Sequence, residues 1–262
     1  MAVTIAVAGK GGTGKTAISA LLIHFLARNS PPVLAVDGDP ATNLHQALGL
    51  PLDDQVNTIG GIREYMEEKI YKEGFDPGIP KQEWLDARIR EGLVEDIGFD
   101  LLSMGRSEGK GCYCAVNHML RSTLARLSKM YRFVVIDNEA GMEHISRQTT
   151  NDVDTLLIIA NPTVPGVMAA VRTQKLIWEL RSNVRRIYLV LNRANGEIPS
   201  KIADLISEGG LNLLEVITED PYIEDLEAEG KPVTQLPEDS PLRKGALEIL
   251  VKLNFISSKV LA

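Results

Sequence analysis

Residues 9–16 read GKGGTGKT and satisfy the spacing G-x-x-x-x-G-K-[ST]. Each part of that stretch suits a polyphosphate. Glycines let the backbone curl until successive N–H groups face inward at phosphate oxygens. A helix opening at the same place adds the positive end of its dipole. Lys15 then reaches the β- and γ-phosphates, and the Thr16 hydroxyl is a ligand for Mg²⁺. Gly9, Lys10, Gly11, Gly12, Thr13, Gly14 and Ala17 complete the expected nucleotide-binding segment.

Carboxylates stand where they can serve the same phosphates. Asp37 and Asp39 in VDGDP follow one apolar run, and Asp137 in VVIDNEAG ends another. Strand ends beside a phosphate loop are where open α/β sheets bind their ligands. The third chemical group is the pair Cys112 and Cys114 in GKGCYCAVNH, the two thiols of the chain. Two thiols are too few for a structural zinc site, which takes four protein ligands. A disulfide between them would close a strained, very small ring that stabilises almost nothing. His118 and His144 lie near these segments, but their spacing alone assigns neither a role.

The elements that carry these groups show in the hydrophobic pattern. Continuous apolar runs at 4–8, 33–36, 99–104, 133–136, 155–160, 187–191 and 213–216 read as buried strands. Helical patterns separate them, at 17–28 and at 116–130, where Val116, Met119, Leu120, Leu124 and Leu127 recur at helical spacing. The last helix starts at Ser240 as N-cap, with Pro241 in the first turn, and buries Leu242, Ala246, Ile249, Leu250 and Leu253. Continuous Val/Ile/Leu strands alternating with helices predict an α/β fold, a doubly wound and mostly parallel sheet covered on both faces. Residues 52–98, charged and carrying Trp84, read as a helical insertion in a single domain spanning 1–262.

Composition narrows the partners. With 28 basic and 35 acidic residues the formal net charge is −7, which argues against general binding to nucleic acid. No export signal and no membrane-length apolar run is visible, so a cytoplasmic protein with reduced thiols and no membrane association is expected.

Residues 10–16, KGGTGKT, resemble the deviant Walker A signature KGGxGK[ST]. It marks the P-loop ATPase family of the nitrogenase iron protein and the septum-positioning and plasmid-partition ATPases. The resemblance covers nearly the whole chain except 52–98. It implies ATP or ADP with Mg²⁺, and a homodimer in which Lys10 reaches across the interface to the partner's phosphates, as an arginine finger does. VDGDPATNL resembles the first switch, which implies that Asp39 orients the attacking water and that Asp37 lies near the water shell of the metal. VVIDNEAG resembles the second switch, with Asp137 contacting Mg²⁺ through water and the Gly141 backbone approaching the γ-phosphate. The resemblance also implies that Asn192 in LNRANG hydrogen-bonds adenine, and that 219–233, with Pro221 and Tyr222, cradles the base from its other side.

The iron protein holds its shared cluster with one cysteine before a helix and another in the second switch. The second switch here, DNEAGMEH, has none. The CYC segment together with VDGDP and AGMEH is most similar to the CooC branch, the ATPases that assist nickel insertion into carbon monoxide dehydrogenase, and to their relatives serving acetyl-CoA synthase. In a two-fold dimer, Cys112 and Cys114 of both copies become four thiolates, the number a tetrahedral site requires. The resemblance implies Ni²⁺ or Zn²⁺ held there for a client enzyme. Two other readings stay open: an iron–sulfur electron carrier, and a positioning ATPase of the MinD/ParA type.

Overall fold

The first apolar run forms β1 (Val3–Gly9), whose five central residues are buried. The glycine loop follows, and α1 (Lys15–Asn29) begins at its end. A computed structural model describes residues 2–53, 55–68, 78, 80–105, 122–123, 125–138, 152–179 and 183–261. After β2 (Val33–Asp37) come α2 (Leu44–Leu48), α3 (Ile59–Glu68), α4 (Lys81–Glu91), β3 (Val94–Asp96) and β4 (Phe99–Ser103). Then come β5 (Phe133–Asp137), β6 (Asp152–Ala160), α5 (Val164–Glu179) and β7 (Asn183–Ala194). The chain closes with α6 (Ser200–Glu208), β8 (Leu213–Thr218), α7 (Ile223–Ala228) and α8 (Pro241–Lys252).

The strands form one eight-stranded sheet in the order β3-β4-β2-β5-β1-β6-β7-β8. All neighbours are parallel except β3 and β4. Every residue of β2 and β5 is buried, as expected of central strands covered on both faces. On one face, Ile5, Val7, Val33 and Val135 pack with Leu21 and Leu22 of α1 and with Ile249 and Leu250 of α8. On the other, Ala6, Leu34, Val134 and Ile158 pack with Val167 of α5, Ile202 of α6, and Leu85 and Ile89 of α4. Each fully buried leucine or isoleucine contributes about 1.5–3 kcal/mol.

All seven expected strands are present, and β7 is longer than its apolar stretch. The extension, Asn183–Arg186, has Val184 as its one apolar residue yet pairs with the start of β6. α8 starts as expected: Ser240 Oγ accepts the Arg243 N–H, with Pro241 in the first turn. Its five predicted core residues are all buried. Of the helix expected at 116–130, residues 122–123 and 125–127 are helical, and a 3-10 turn, Ser128–Met130, follows; the remainder lies outside the described residues.

The expected insertion at 52–98 differs in character from its sequence reading. Among its described residues it holds α3 and α4, but the segment is also built into the sheet. Its last part is β3, an antiparallel edge strand on β4, and Ile59, Ile62, Leu85 and Ile89 belong to the second core. Among the described residues no helix is long and apolar enough to cross a membrane.

Candidate functional site

The C-terminal ends of the central strands bring Asp37 and Asp137 beside the phosphate loop. The phosphate loop runs from β1 to α1, and at two glycines there any side chain would be strained. Gly9 has φ +148, and a Cβ on it would stand 2.2 Å from the Ile159 carbonyl oxygen. Gly14 caps α1 in the left-handed region, at φ 87 and ψ 21, and a Cβ there would lie 2.5 Å from Asn192 Nδ2. Either substitution must move backbone or a buried amide.

Lys15 is buried at the first position of α1, and its Nζ donates to the Lys10 carbonyl at 3.3 Å. Thr13 Oγ1 donates to the same carbonyl at 2.9 Å. The loop therefore folds around one inward lysine. Lys10, Gly11 and Gly12 are exposed. A cleft of about 160 Å³ runs beside Gly9, Lys10 and Gly11, against Gly166, Ala169 and Thr173 of α5.

Register fixes the acidic groups. Asp37 pairs with Asp137 on one side and Ser103 on the other, and Asp137 pairs with Val7 of β1. One row of strand ends thus carries Ser103, Asp37 and Asp137 beside the phosphate loop. Thr16 Oγ1 donates to Asp137 Oδ2 at 2.7 Å, and Ser19 Oγ to Asp137 Oδ1 at 3.0 Å. Burial pushes the Asp137 carboxyl up to about 6, against the hydrogen bonds of Thr16 and Ser19 and the charge of Lys15. Asp37 is pushed to about 7, again by burial, with the N–H groups of Leu44 and Asp39 opposing and Asp137 reinforcing.

Asp37 acts here as the staple of the loop after β2. Its Oδ1 accepts the Asp39 N–H at 3.1 Å and its Oδ2 the Leu44 N–H at 2.9 Å. Asp39 is half-buried, and its Oδ1 accepts the Ala41 N–H at 2.8 Å. The Thr16 hydroxyl and the Asp137 and Asp37 carboxylates are hard oxygen donors around the start of α1. That donor set fits Mg²⁺, which takes few protein oxygens and completes its shell with phosphates and water.

Asn192 stands at the end of β7, as read from LNRANG. In this structure its amide faces the phosphate loop: Nδ2 donates to the Thr13 carbonyl at 2.9 Å. Pro221 and Tyr222 are exposed on the loop that opens α7. Asp220 anchors that loop, accepting from the Tyr222 and Leu242 N–H groups at 2.9 Å each and from the Ser240 hydroxyl. Tyr222 Oη donates to Asp239 at 2.7 Å.

The sequence reading missed Ser19, Asn138 and Asp220. Asn138 follows Asp137 directly and is 2% exposed; its Nδ2 donates to the Val7 carbonyl at 3.0 Å, fastening β5 to β1. Ser19 had a signal of sorts, lying three residues after Thr16 and hence on the same helix face. Gly141, Cys112, Cys114, His118 and His144 lie outside the described residues.

Comparison with known proteins agrees with this geometry. The profile of the CobQ/CobB/MinD/ParA nucleotide binding domain matches residues 4–233. An uncharacterized ATP-binding protein of Methanocaldococcus jannaschii is 41% identical over 249 residues, 95% of this chain and 97% of the relative. The carbon monoxide dehydrogenase accessory protein CooC of Rhodospirillum rubrum is 32% identical over 183 residues, 67% of this chain and 69% of the relative. The septum site-determining protein MinD of Pyrococcus horikoshii, solved with Mg-ADP, shares the fold. Its TM-score is 0.66 at 21% identity, over 97% of this chain and 96% of that one.

Proposed function

From the premise that this chain belongs to the CobQ/CobB/MinD/ParA family of nucleotide-binding domains and is an ATPase of that type, we propose that it is a nucleotide-gated metal carrier. Two copies bind ATP and share nickel or zinc as cargo between Cys112 and Cys114 of each. Hydrolysis then releases the ion to a client, carbon monoxide dehydrogenase or acetyl-CoA synthase. The observation that carries this reading is the 32% identity with the accessory protein CooC across two thirds of the chain, joined to a chain whose two thiols sit one residue apart.

The residues have distinct tasks in this reading. Lys15 and the N–H groups of residues 10–16 hold the β- and γ-phosphates. Thr16, with Asp137 and Asp37 behind it, would hold Mg²⁺, which supplies charge neutralisation on the phosphate oxygens. Asp39 orients a water whose oxygen bonds to the γ-phosphorus while the bond to the bridging β–γ oxygen breaks, giving ADP and phosphate. Lys10, exposed at the mouth of the loop, neutralises phosphate on the partner copy. ATP and cargo favour the same closed dimer, so each raises the affinity of the other.

Two measurements test this. Lys15→Ala should lower ATP turnover at least about a hundredfold; turnover near the wild-type rate rejects the phosphate assignment. Cys112→Ser should lose one bound metal per dimer in anaerobic size-exclusion chromatography with metal analysis, while keeping its ATP affinity. Unchanged metal content rejects the carrier. The likeness to the MinD fold supports one rival, a positioning ATPase, for which co-sedimentation with liposomes or DNA in ATP would speak.

A further inference from the structure

Asp137 is a carboxylate at 2% exposure, and both of its oxygens are occupied by hydroxyls from one helix. Thr16 stands in the first turn of α1 and Ser19 one turn later, so the two project from the same face toward the end of β5. Thr16 has a part in the reading above, as a ligand for Mg²⁺. Ser19 has none: it is 0% exposed, too deep to touch a nucleotide, and its Oγ donates to Asp137 Oδ1 at 3.0 Å.

We propose that Ser19 is a positioning residue for the metal step. It holds Asp137 Oδ1 so that Oδ2 stays directed at the Thr16 hydroxyl and at the position the metal takes. A carboxylate turns about its terminal torsion with little resistance, and here two directions compete. Oδ2 can face Thr16, or the group can swing along the strand-end row toward Asp37, its register partner. Ser19 selects the first direction from the side away from the phosphates. The inference rests on the reading that Mg²⁺ and nucleotide meet at Thr16.

The test separates metal-dependent affinity from everything else. Dissociation constants for a fluorescent ADP are measured in excess Mg²⁺ and in EDTA, for wild type, Ser19→Ala, Asp137→Ala and the double variant. Ser19→Ala should weaken binding about 5- to 10-fold in Mg²⁺ and less than 2-fold in EDTA. In the Asp137→Ala background, removing the Ser19 hydroxyl should change neither constant, because the oxygen it donates to is already gone. Ser19→Cys, close in size to serine and a weak donor, should behave as Ser19→Ala does and guards against a packing defect in the smaller variant. Equal losses with and without Mg²⁺, or a full additional loss in the double variant, would overturn the assignment and leave Ser19 as packing. Wild-type affinity unaffected by Mg²⁺ would instead remove the underlying reading, and Ser19's role with it.

Discussion

Replacing Asp37 by asparagine should flatten part of the pH dependence of the nucleotide-free protein's stability. The carboxyl is fully buried, and burial lifts its pKa from 3.8 to about 7. The folded state therefore keeps a proton that the unfolded chain surrenders near pH 3.8. The sign follows: the stability linked to that proton is complete below pH 3.8 and is lost as pH rises through about 7. Between pH 4.5 and 8, a shift of this size removes roughly 3 kcal/mol. Asparagine does not ionise, so this loss is absent from the variant. It does present one acceptor in place of two, so the N–H of either Asp39 or Leu44 goes unpaired, an offset of about 1–2 kcal/mol at every pH. Asp137 is also lifted, to about 6, but it is present in both proteins and to first order cancels. Urea unfolding in EDTA, from pH 4.5 to 8, reads the difference directly. Wild type should be the more stable protein at pH 4.5 and the less stable at pH 8. A difference that stays constant within about 0.5 kcal/mol across that range would refute the burial argument.

Two substitutions test the frame around the site. Gly14→Ala forces a side chain into φ 87 and against the Asn192 amide. It should weaken ADP binding about tenfold or more, measured by titration, and cost about 1–3 kcal/mol of stability. Asp220→Ala strands the Tyr222 and Leu242 N–H groups and the Ser240 hydroxyl. Urea unfolding should show a loss of about 2–4 kcal/mol, more than one hydrogen bond is worth.

Legibility in the sequence tracked burial. β1, β2 and β5 could be read because both their faces are covered, which leaves an unbroken apolar run. β3 is Val94, Glu95 and Asp96, with the two acids exposed at the edge of the sheet; a short charged edge avoids the pattern that announces a strand. The phosphate loop was legible as spacing, and Asp37 and Asp137 as acids closing apolar runs. Ser19 was not, because a serine in the second turn of a helix matches no motif and its partner is 118 residues away. Asn192 was placed correctly at the end of β7, but the direction of its amide depends on how far β7 reaches toward Thr13, which one strand's pattern does not encode.

The segment at 52–98, least regular in sequence, turns out to be bonded to the row of strand ends that carries the site. The Asp37 carbonyl accepts the Met104 N–H at 2.8 Å, and the Met104 carbonyl accepts the Gly60 N–H at 2.9 Å, in the first turn of α3. Thr58 bridges to Ser103, and its hydroxyl accepts the Gly61 N–H at 3.0 Å. From α4, Asp86 accepts from Gln82 at 2.9 Å and from Thr123 and Arg126 at 2.6 Å each, which ties α4 to the helical residues 122–123 and 125–127. Continuity of this kind is a route, and a route conducts only if one element along it has two arrangements. Where the route meets the end of β2, the loop that follows is held at two points, the Asp39 and Leu44 N–H groups on the Asp37 carboxyl. Any change that turns the Asp37 carboxyl must break one or both of those bonds to the loop.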